Sequence, residues 1–218
     1  MTAAEEEMDD LLQDLKRRIR GEVRFDPISK VLYSTDASIY EIEPLGVVIP
    51  RTPEDVRAAV EICARRGVPL LPRGAGTALS GQSVGRAVHL DLAKYLNRVL
   101  EVNLEERWAR VEPGVVLDEL NAQLRPHRLW FAPDPSPSNR ATLGGMIGNN
   151  SSGARSILYG RTLEHILELT ALLPDGEILR ARPMAGAELA ATLAAPTREG
   201  ELCRTLQRLV AANREEIR

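Results

Sequence analysis

A glycine-rich loop follows directly on an apolar run and has the sequence Pro72-Arg73-Gly74-Ala75-Gly76-Thr77-Ala78-Leu79-Ser80-Gly81-Gln82. The apolar run, Val68–Leu71, predicts a buried strand. Glycine adopts backbone angles that are closed to other residues, and it lets main-chain N–H groups approach a ligand closely. A concave row of such N–H groups binds phosphate without lysine or arginine side chains. Residues 72–82, here named the first glycine loop, are therefore a candidate phosphate-binding element.

The spacing of this loop excludes two common nucleotide-binding motifs. No Gly-Lys-Ser/Thr follows the glycines, so the loop is not a P-loop. Leu79 occupies the third glycine position of the Rossmann fingerprint, so that motif is absent as well. For an isolated glycine-rich loop, a plain surface turn is an equally good interpretation.

A second glycine-rich region strengthens the ligand-binding interpretation. The proline run at residues 133–138 precedes Thr142-Leu143-Gly144-Gly145-Met146-Ile147-Gly148-Asn149-Asn150-Ser151-Ser152-Gly153, and residues 142–160 are here named the second glycine segment. Thr142 is expected to cap a short helix, inside which each glycine costs about 1 kcal/mol relative to alanine. Close approach of a ligand would compensate, and a tight helix–helix contact is the alternative. Two such segments facing each other would suit the pyrophosphate of a dinucleotide.

Charge and hydropathy exclude several classes of partner. The 218 residues carry a formal net charge of −3, which gives no basic footprint for nucleic acid. No apolar stretch reaches the roughly 20 residues that a membrane-spanning helix needs. The acidic start at Glu5-Glu6-Glu7 is the opposite of a signal peptide. We therefore expect a cytoplasmic protein, either free or peripheral to the inner face of the membrane.

Cysteine and histidine usage argues against a metal centre in this chain. The sequence has two cysteines, Cys63 and Cys203, far apart, and three histidines at 89, 127 and 165. Zinc and iron–sulfur centres need several closely spaced soft ligands, which these positions do not provide. Cys63 falls on the apolar stripe of a predicted helix and is expected to be a buried thiol.

Apolar periodicity predicts a mixed architecture. Predicted helices lie around Met8–Ile19, from Thr52 to Gly67, around Val116–Leu124 and over most of 187–218. Predicted strands lie at Leu45–Ile49, Val68–Leu71 and Val88–Leu92, with hairpins around 98–112 and around Asp175-Gly176. Strands and helices alternate early, whereas hairpins follow later, which favours an α+β fold over a doubly wound parallel sheet.

Three ordered motifs carry a family resemblance. Pro72–Gln82, Val111-Glu112-Pro113-Gly114 and Thr142–Gly160 together resemble the FAD-binding domain of the p-cresol methylhydroxylase type. Within it the chain is most similar to the D-lactate dehydrogenase and glycolate oxidase group, including large bacterial fusions with an iron–sulfur domain. The resemblance implies a two-subdomain α+β FAD-binding fold. It also implies a helical lead-in at residues 1–28, the FAD-binding domain at 29–183, and a helical segment at 184–218 that leads toward a substrate or cap domain. The chain ends within a helical pattern, and we expect it to be the N-terminal fragment of a larger protein.

The resemblance assigns cofactor contacts position by position. The first loop would contact the FAD pyrophosphate through backbone amides at Arg73, Gly74, Ala75, Gly76, Thr77, Ala78, Leu79, Gly81 and Gln82. Pro133, Asp134 and Ser136 would lie on the flavin side. The facing wall would comprise Thr142, Gly144, Gly145, Gly148, Asn149, Asn150, Ser152, Tyr159 and Gly160. Ser152 and Glu164 depart from the family's usual glycine and aspartate. Some relatives attach flavin through a histidine in the first loop; here Ala75 and Gly76 occupy that neighbourhood, so non-covalent FAD is expected.

The implied activity is oxidation of a small 2-hydroxy acid, such as D-lactate, glycolate or 2-hydroxyglutarate, to the 2-oxo acid by hydride transfer to flavin. The three histidines match no catalytic position of the family and are expected to be structural or exposed. The catalytic base is expected outside this chain, as are a downstream electron acceptor and any iron–sulfur cluster. A flavoenzyme of the same fold for another alcohol and a non-catalytic FAD-binding accessory subunit are the alternatives, with a ligand-free structural domain last.

Overall fold

The structure is a computed structural model that describes residues 3–217. Residue contacts divide this range into two compact units. The first comprises the chain up to Ile166 together with Pro174–Gly176, and the second comprises Leu167–Leu173 and the residues from Glu177 onward. In the described range, no helix is both long and apolar enough to cross a bilayer.

A four-stranded mixed sheet organises the first unit. Its strands are β1 (Glu22–Arg24), β2 (Gly46–Ile49), β3 (Leu70–Arg73) and β4 (Val88–Asp91), in the order β1-β2-β4-β3. Strands β2, β4 and β3 are parallel, and β1 pairs antiparallel with β2. The carboxyl ends of the three parallel strands therefore lie at one edge, and the first glycine loop leaves β3 at that edge.

Three helices accompany this sheet. Helix α1 (Ala3–Arg18) and α3 (Pro53–Arg65) bury apolar stripes together with β2 and β4, and α2 (Pro27–Tyr33) links β1 to the following loop. The buried set includes Leu11, Leu15, Val48, Ala59, Ile62, Val88 and Leu90. The side chain of Thr52 caps α3, as its position before Pro53 predicts.

A second core lies under the hairpin of β5 (Val99–Asn103) and β6 (Trp108–Val111). Two helices, α4 (Leu117–Leu124) and α5 (Leu143–Asn149), complete it. Its buried residues are Val115, Leu117, Leu120, Leu124, Ala141, Leu143 and Met146. The core thus fixes α5, which carries the second glycine segment, and the short helix α6 (Ser156–Tyr159) follows in the same segment.

The second unit has its own small hairpin and helix pair. Strands β7 (Leu169–Leu172) and β8 (Ile178–Ala181) pair antiparallel. Helices α7 (Gly186–Ala194) and α8 (Arg198–Ala212) contact each other, and the side chain of Thr197 caps α8.

Most sequence predictions of elements are confirmed, including the α+β class. The strand predicted at Val68–Leu71 instead runs from Leu70 to Arg73. The N–H of Val68 donates to the carbonyl of Cys63, which closes the end of α3 and delays the strand. Arg73 is consequently the last strand residue and not a loop residue. The elements β1, α2 and α6 were not predicted, because they are short and have no apolar period of their own.

Candidate cofactor-binding site

The backbone amides of the first glycine loop have no acceptor among the residues that the structure describes. From Gly74 to Gln82, no backbone N–H donates a hydrogen bond to any of the residues that the structure describes. Residues 74–82 are all exposed or half-buried, so these nine consecutive N–H groups are open to a ligand or to solvent. Such a row, at the carboxyl edge of a parallel sheet, is the geometry in which phosphates bind.

The structure brings this loop against the second glycine segment at both ends. At the first end, a Cβ built on Gly74 would lie 2.2 Å from Oγ1 of Thr142. At the other end, Nε2 of Gln82 donates to Oδ1 of Asn149 over 3.0 Å. Thr142 precedes α5 and Asn149 is its last residue, and the seven residues of the helix span about 10 Å. The two ends of the loop therefore lie at the two ends of the helix.

Helix α5 shows different faces to the core and to the loop. Leu143 and Met146 are buried in the second core, and Gly144 packs on Pro113, where an added Cβ would be 2.7 Å from Cβ of Pro113. On the helix, Gly145 and Gly148 share a face with Thr142 and Asn149, because residues three and four apart are neighbours. Apart from the helix's own backbone, a Cβ added at position 145 would have one described neighbour, Oγ1 of Thr142 at 3.1 Å. A Cβ added at position 148 would have none within 4 Å. The face toward the first loop is thus open.

The first turn of α5 presents one further free amide. The N–H groups of Leu143 and Gly144 donate to the carbonyls of Val115 and Pro113, and that of Met146 donates to Thr142. Gly145 is left without an acceptor in the described part of the chain. Thr142 occupies the N-cap position as predicted, but its side chain makes no capping hydrogen bond, which corrects that expectation. Its hydroxyl lies beside Gly74 instead.

The polar residues Asn150 and Ser151 after α5 form hydrogen bonds within the protein, and Ser152 is exposed. Asn150 adopts a left-handed conformation with φ of 45°, ending the helix, and its Oδ1 accepts from the N–H of Leu163 over 2.9 Å. The carbonyl of Ser151 accepts from both the N–H and the hydroxyl of Thr162. Oδ1 of Asn150, a residue assigned to the cofactor by resemblance, therefore has a partner within the protein.

The carboxylate of Asp134 also forms hydrogen bonds within the protein. Its carboxylate accepts from Nε of Arg155 over 2.9 Å and from the Arg155 N–H over 3.2 Å. These hydrogen bonds hold the pKa of Asp134 below its ordinary value. Gly153 packs on the same residue, and an added Cβ would lie 2.4 Å from Oδ1 of Asp134. Pro133 is buried and Ser136 exposed.

The end of the second glycine segment is a tight turn. Gly160 has φ of 83°, and the carboxylate of Glu164 accepts from the N–H of Arg161 over 3.2 Å and lies against Gly160. The Tyr159 ring meets Trp130 edge-on at 6.1 Å between centroids. Glutamate, which departs from the family's usual aspartate, thus closes this turn.

The three histidines lie where the sequence led us to expect structural or exposed groups. His89 is fully buried in β4, its Nε2 lies 3.1 Å from the carbonyl of Gly85, and burial lowers its pKa. His127 is exposed. His165 pairs edge-on with the ring of Phe131 at 5.5 Å.

Sequence reasoning missed the segment that supports the first loop from behind, residues 33–40. The N–H of Ala37 donates to the carbonyl of Gly76 over 3.0 Å, and the hydroxyl of Ser83 donates to Asp36 over 2.8 Å. Gly81 packs on the ring of Tyr40, where an added Cβ would be 2.4 Å from Cδ2. No local pattern signals these contacts, because the partners are about 40 residues apart in sequence.

Together, a row of free amides at a sheet edge and the open, Cβ-free face of a helix define a dinucleotide-binding α+β domain. The comparison with protein families agrees. The family described as FAD binding domain matches residues 44–182, which is more than half of the chain, and the chain belongs to it. The resemblance to the p-cresol methylhydroxylase type is confirmed.

Similar proteins are dehydrogenases and oxidases of 2-hydroxy acids. D-2-hydroxyglutarate dehydrogenase from Pseudomonas putida is 42% identical over 201 residues, which is 91% of this chain and 20% of that protein. Glycolate oxidase subunit GlcD from Bacillus subtilis is 32% identical over 191 residues, covering 82% of this chain and 41% of the relative. The chain thus spans about a fifth of the first of these proteins.

Solved structures establish the fold. A structure of p-cresol methylhydroxylase with substrate bound has a TM-score of 0.71 at 22% identity, covering 83% of this chain and 36% of that one. Alkyldihydroxyacetonephosphate synthase has a TM-score of 0.73 at 24% identity, with 82% and 36% covered.

Proposed function

We propose that this chain holds FAD by its pyrophosphate between the first glycine loop and helix α5, as part of an enzyme that oxidises a small 2-hydroxy acid. The observation that carries the proposal is the row of amides from Gly74 to Gln82, which have no acceptor in the described part of the chain and lie beside the open face of α5.

The residues of this chain fit a pyrophosphate well. Two adjacent phosphates carry negative charge that amide dipoles stabilise, and nine loop amides with that of Gly145 are available to donate. The missing Cβ atoms at Gly145 and Gly148 leave room for phosphate oxygens to approach the helix. The side chains of Gln82 and Asn149 would lie at one end of this groove.

Non-covalent attachment is part of the proposal. Covalent flavin needs a nucleophilic side chain near the ring, and the first loop contains neither histidine nor cysteine. Affinity would then come from the amides and from the parts of the protein that contact the isoalloxazine ring.

When bound, FAD accepts a hydride from the substrate carbon, which is chemistry that amino-acid side chains lack. This chain would orient the cofactor and shield its phosphates from water. We assign the proton-accepting base, the electron acceptor and any iron–sulfur cluster to parts outside this chain, because its three histidines match no catalytic position of the family and the chain spans about a fifth of D-2-hydroxyglutarate dehydrogenase. The 2-hydroxy acid class is taken from the relatives named D-2-hydroxyglutarate dehydrogenase and glycolate oxidase subunit.

The test uses the purified natural protein. Acid precipitation should release FAD into the supernatant, and D-2-hydroxyglutarate, D-lactate or glycolate should reduce an artificial dye acceptor. A protein without flavin would refute the cofactor site. Flavin that stays with the precipitate would refute non-covalent attachment alone. Bound FAD without turnover of any of the three acids would favour the accessory-subunit alternative.

A further inference from the structure

The Arg73 side chain lies on the side of the first glycine loop that faces residues 33–40. Its Nη1 donates to the carbonyls of Tyr33 and Ser83 over 3.1 and 3.0 Å. Its Nη2 donates to the carbonyl of Thr35 over 2.7 Å. The guanidinium also lies over the Tyr33 ring, 5.2 Å from its centroid. One side chain thus binds three backbone carbonyls.

These contacts tie the two ends of the loop together. Arg73 ends β3, and Ser83 is the first residue after Gln82, so the nine free amides lie between them. A loop of this length loses conformational entropy when it is ordered. Because Arg73 bonds to Ser83 and to the segment starting at Tyr33, the loop loses this entropy when the protein folds, before any ligand binds.

The middle of the loop rests on the same guanidinium. Gly76 has φ of 66°, and an added Cβ would lie 2.7 Å from Nη2 and 3.2 Å from Cζ of Arg73. The carbonyl of Gly76 meanwhile accepts from the N–H of Ala37. Because the C=O and N–H of one trans peptide group point in opposite directions, the bond from Ala37 directs the N–H of Thr77 away from residues 33–40.

The support is anchored to the sheet. The hydroxyl of Tyr33 donates to Oδ2 of Asp91 over 2.5 Å, and Oδ1 of Asp91 accepts from the N–H of Ala93 over 2.8 Å. Asp91 is the last residue of β4 and pairs in register with Arg73 on β3. Burial and the bond to Asp91 both raise the pKa of Tyr33, so this hydroxyl stays protonated and keeps donating.

We propose that Arg73 is a positioning residue, which pre-organises the amides of Gly74–Gln82 for the FAD pyrophosphate from behind and makes no contact with phosphate. This inference rests on the proposed function. A phosphate-binding arginine would point its N–H groups into the groove, whereas three of the Arg73 N–H bonds are taken by carbonyls. The planar fork of arginine suits this role, and the single ammonium of lysine cannot reproduce it.

The experiment compares Arg73→Ala, Arg73→Lys and a control, Arg66→Ala, in the natural protein stripped of flavin. Arg66 is also half-buried and bonds through its side chain, but to Asp14 on α1. We measure FAD dissociation constants, melting temperatures and amide hydrogen exchange of residues 74–83, with and without about 10 mM N-ethylguanidinium. Arg73→Ala should bind FAD about ten- to hundredfold more weakly, with faster exchange in the loop. N-ethylguanidinium should recover part of the affinity, and the control should bind like the parent.

Arg73→Lys separates positioning from charge. Lysine keeps the positive charge and most of the volume, so this variant should fold, yet its affinity should stay near that of Arg73→Ala. Parent-like affinity in Arg73→Lys would overturn the proposal in favour of a simple charge effect, and parent-like affinity in Arg73→Ala would overturn it altogether. If the parent itself bound no FAD, the proposed function would fail first, and the hydrogen exchange of the loop would still report whether Arg73 orders it.

Discussion

The two glycine-rich regions have similar composition, but glycine serves a different purpose in each. In the first loop, Gly76 and Gly81 have positive φ and pack back onto the side chains of Arg73 and Tyr40, while the loop amides stay free. In the second segment, Gly144 and Gly153 let backbone and side chains of Pro113 and Asp134 approach closely. The first region presents donors, and the second is mainly a close-packed wall.

This difference shows that a glycine-rich sequence does not identify the glycines that face a ligand. Within α5, Gly144 is a packing residue, whereas its neighbour Gly145 lies on the open face. The same substitution should therefore act on the fold at Gly144 and on FAD affinity at Gly145, and four predictions test the two regions.

The largest effect is expected from Gly144→Val. An added Cβ would lie 2.7 Å from Cβ and 3.0 Å from the carbonyl oxygen of Pro113, and the buried Leu143 and Met146 prevent the helix from moving away. Overpacking of this kind costs about 1–3 kcal/mol and sometimes more. The natural protein should lose soluble yield and several degrees of melting temperature, and FAD should be lost with the fold. A variant that melts like the parent would remove the distinction between the two glycines.

The second effect is expected from Gly145→Val, which should weaken FAD binding and spare the fold. The only heavy atom near its Cβ would be Oγ1 of Thr142 at 3.1 Å, so the added side chain fills the groove instead of the core. Keeping phosphate away from the helix costs about 1–3 kcal/mol, which raises the dissociation constant of FAD about ten- to hundredfold.

Gly176→Val is the matched control for Gly145→Val. Gly176 has φ of 85° in a turn remote in sequence from both glycine regions, so substitution should lower the melting temperature and leave FAD affinity unchanged. Equal FAD affinity in Gly145→Val and the parent would show that α5 does not contact the cofactor.

A smaller effect is expected at the contact between the two regions. Gln82→Ala and Asn149→Ala each remove the side-chain hydrogen bond of 3.0 Å, which contributes about 0.5–1.5 kcal/mol, or a few-fold in FAD affinity. In a double-mutant cycle, the two changes together should cost less than the sum of the separate losses, because they break one bond. Strictly additive losses would mean that the residues act independently.

The smallest effect is expected in the pH dependence of stability that comes from the ion pair of Asp134 and Arg155. The bonds from Arg155 lower the pKa of Asp134 in the folded state, so the stabilisation is fully present above the ordinary aspartate pKa of about 4 and is lost as pH falls below it. The melting temperature of the parent should therefore fall more steeply between pH 5 and pH 3 than that of Asp134→Asn. Parallel curves would show that this ion pair contributes nothing measurable, as is common at exposed positions.

Local patterns predicted much of the fold. The apolar periods of α1, α3 and α4, the Thr52-Pro53 start of α3, and the Asp175-Gly176 turn each depend on neighbouring residues alone, and the structure has all of them. The predictions were wrong for the start of β3, which lies two residues after the predicted one, and they missed the short elements β1, α2 and α6. These owe their conformation to pairing and packing partners distant in sequence.

For the site, the sequence by itself determined which segments could bring backbone amides close to a phosphate, because the permissive angles of glycine are a local property. It also determined that no histidine or cysteine lies in the first loop. Only the tertiary structure decided which glycines face the groove, that Thr142 contacts Gly74 in place of capping α5, and that Arg73 extends behind the loop to the carbonyls of Tyr33 and Thr35. The physical reason is that these contacts join residues 38 to 68 positions apart, and the direction of a side chain is set by the packing of both partners and not by the sequence around either one.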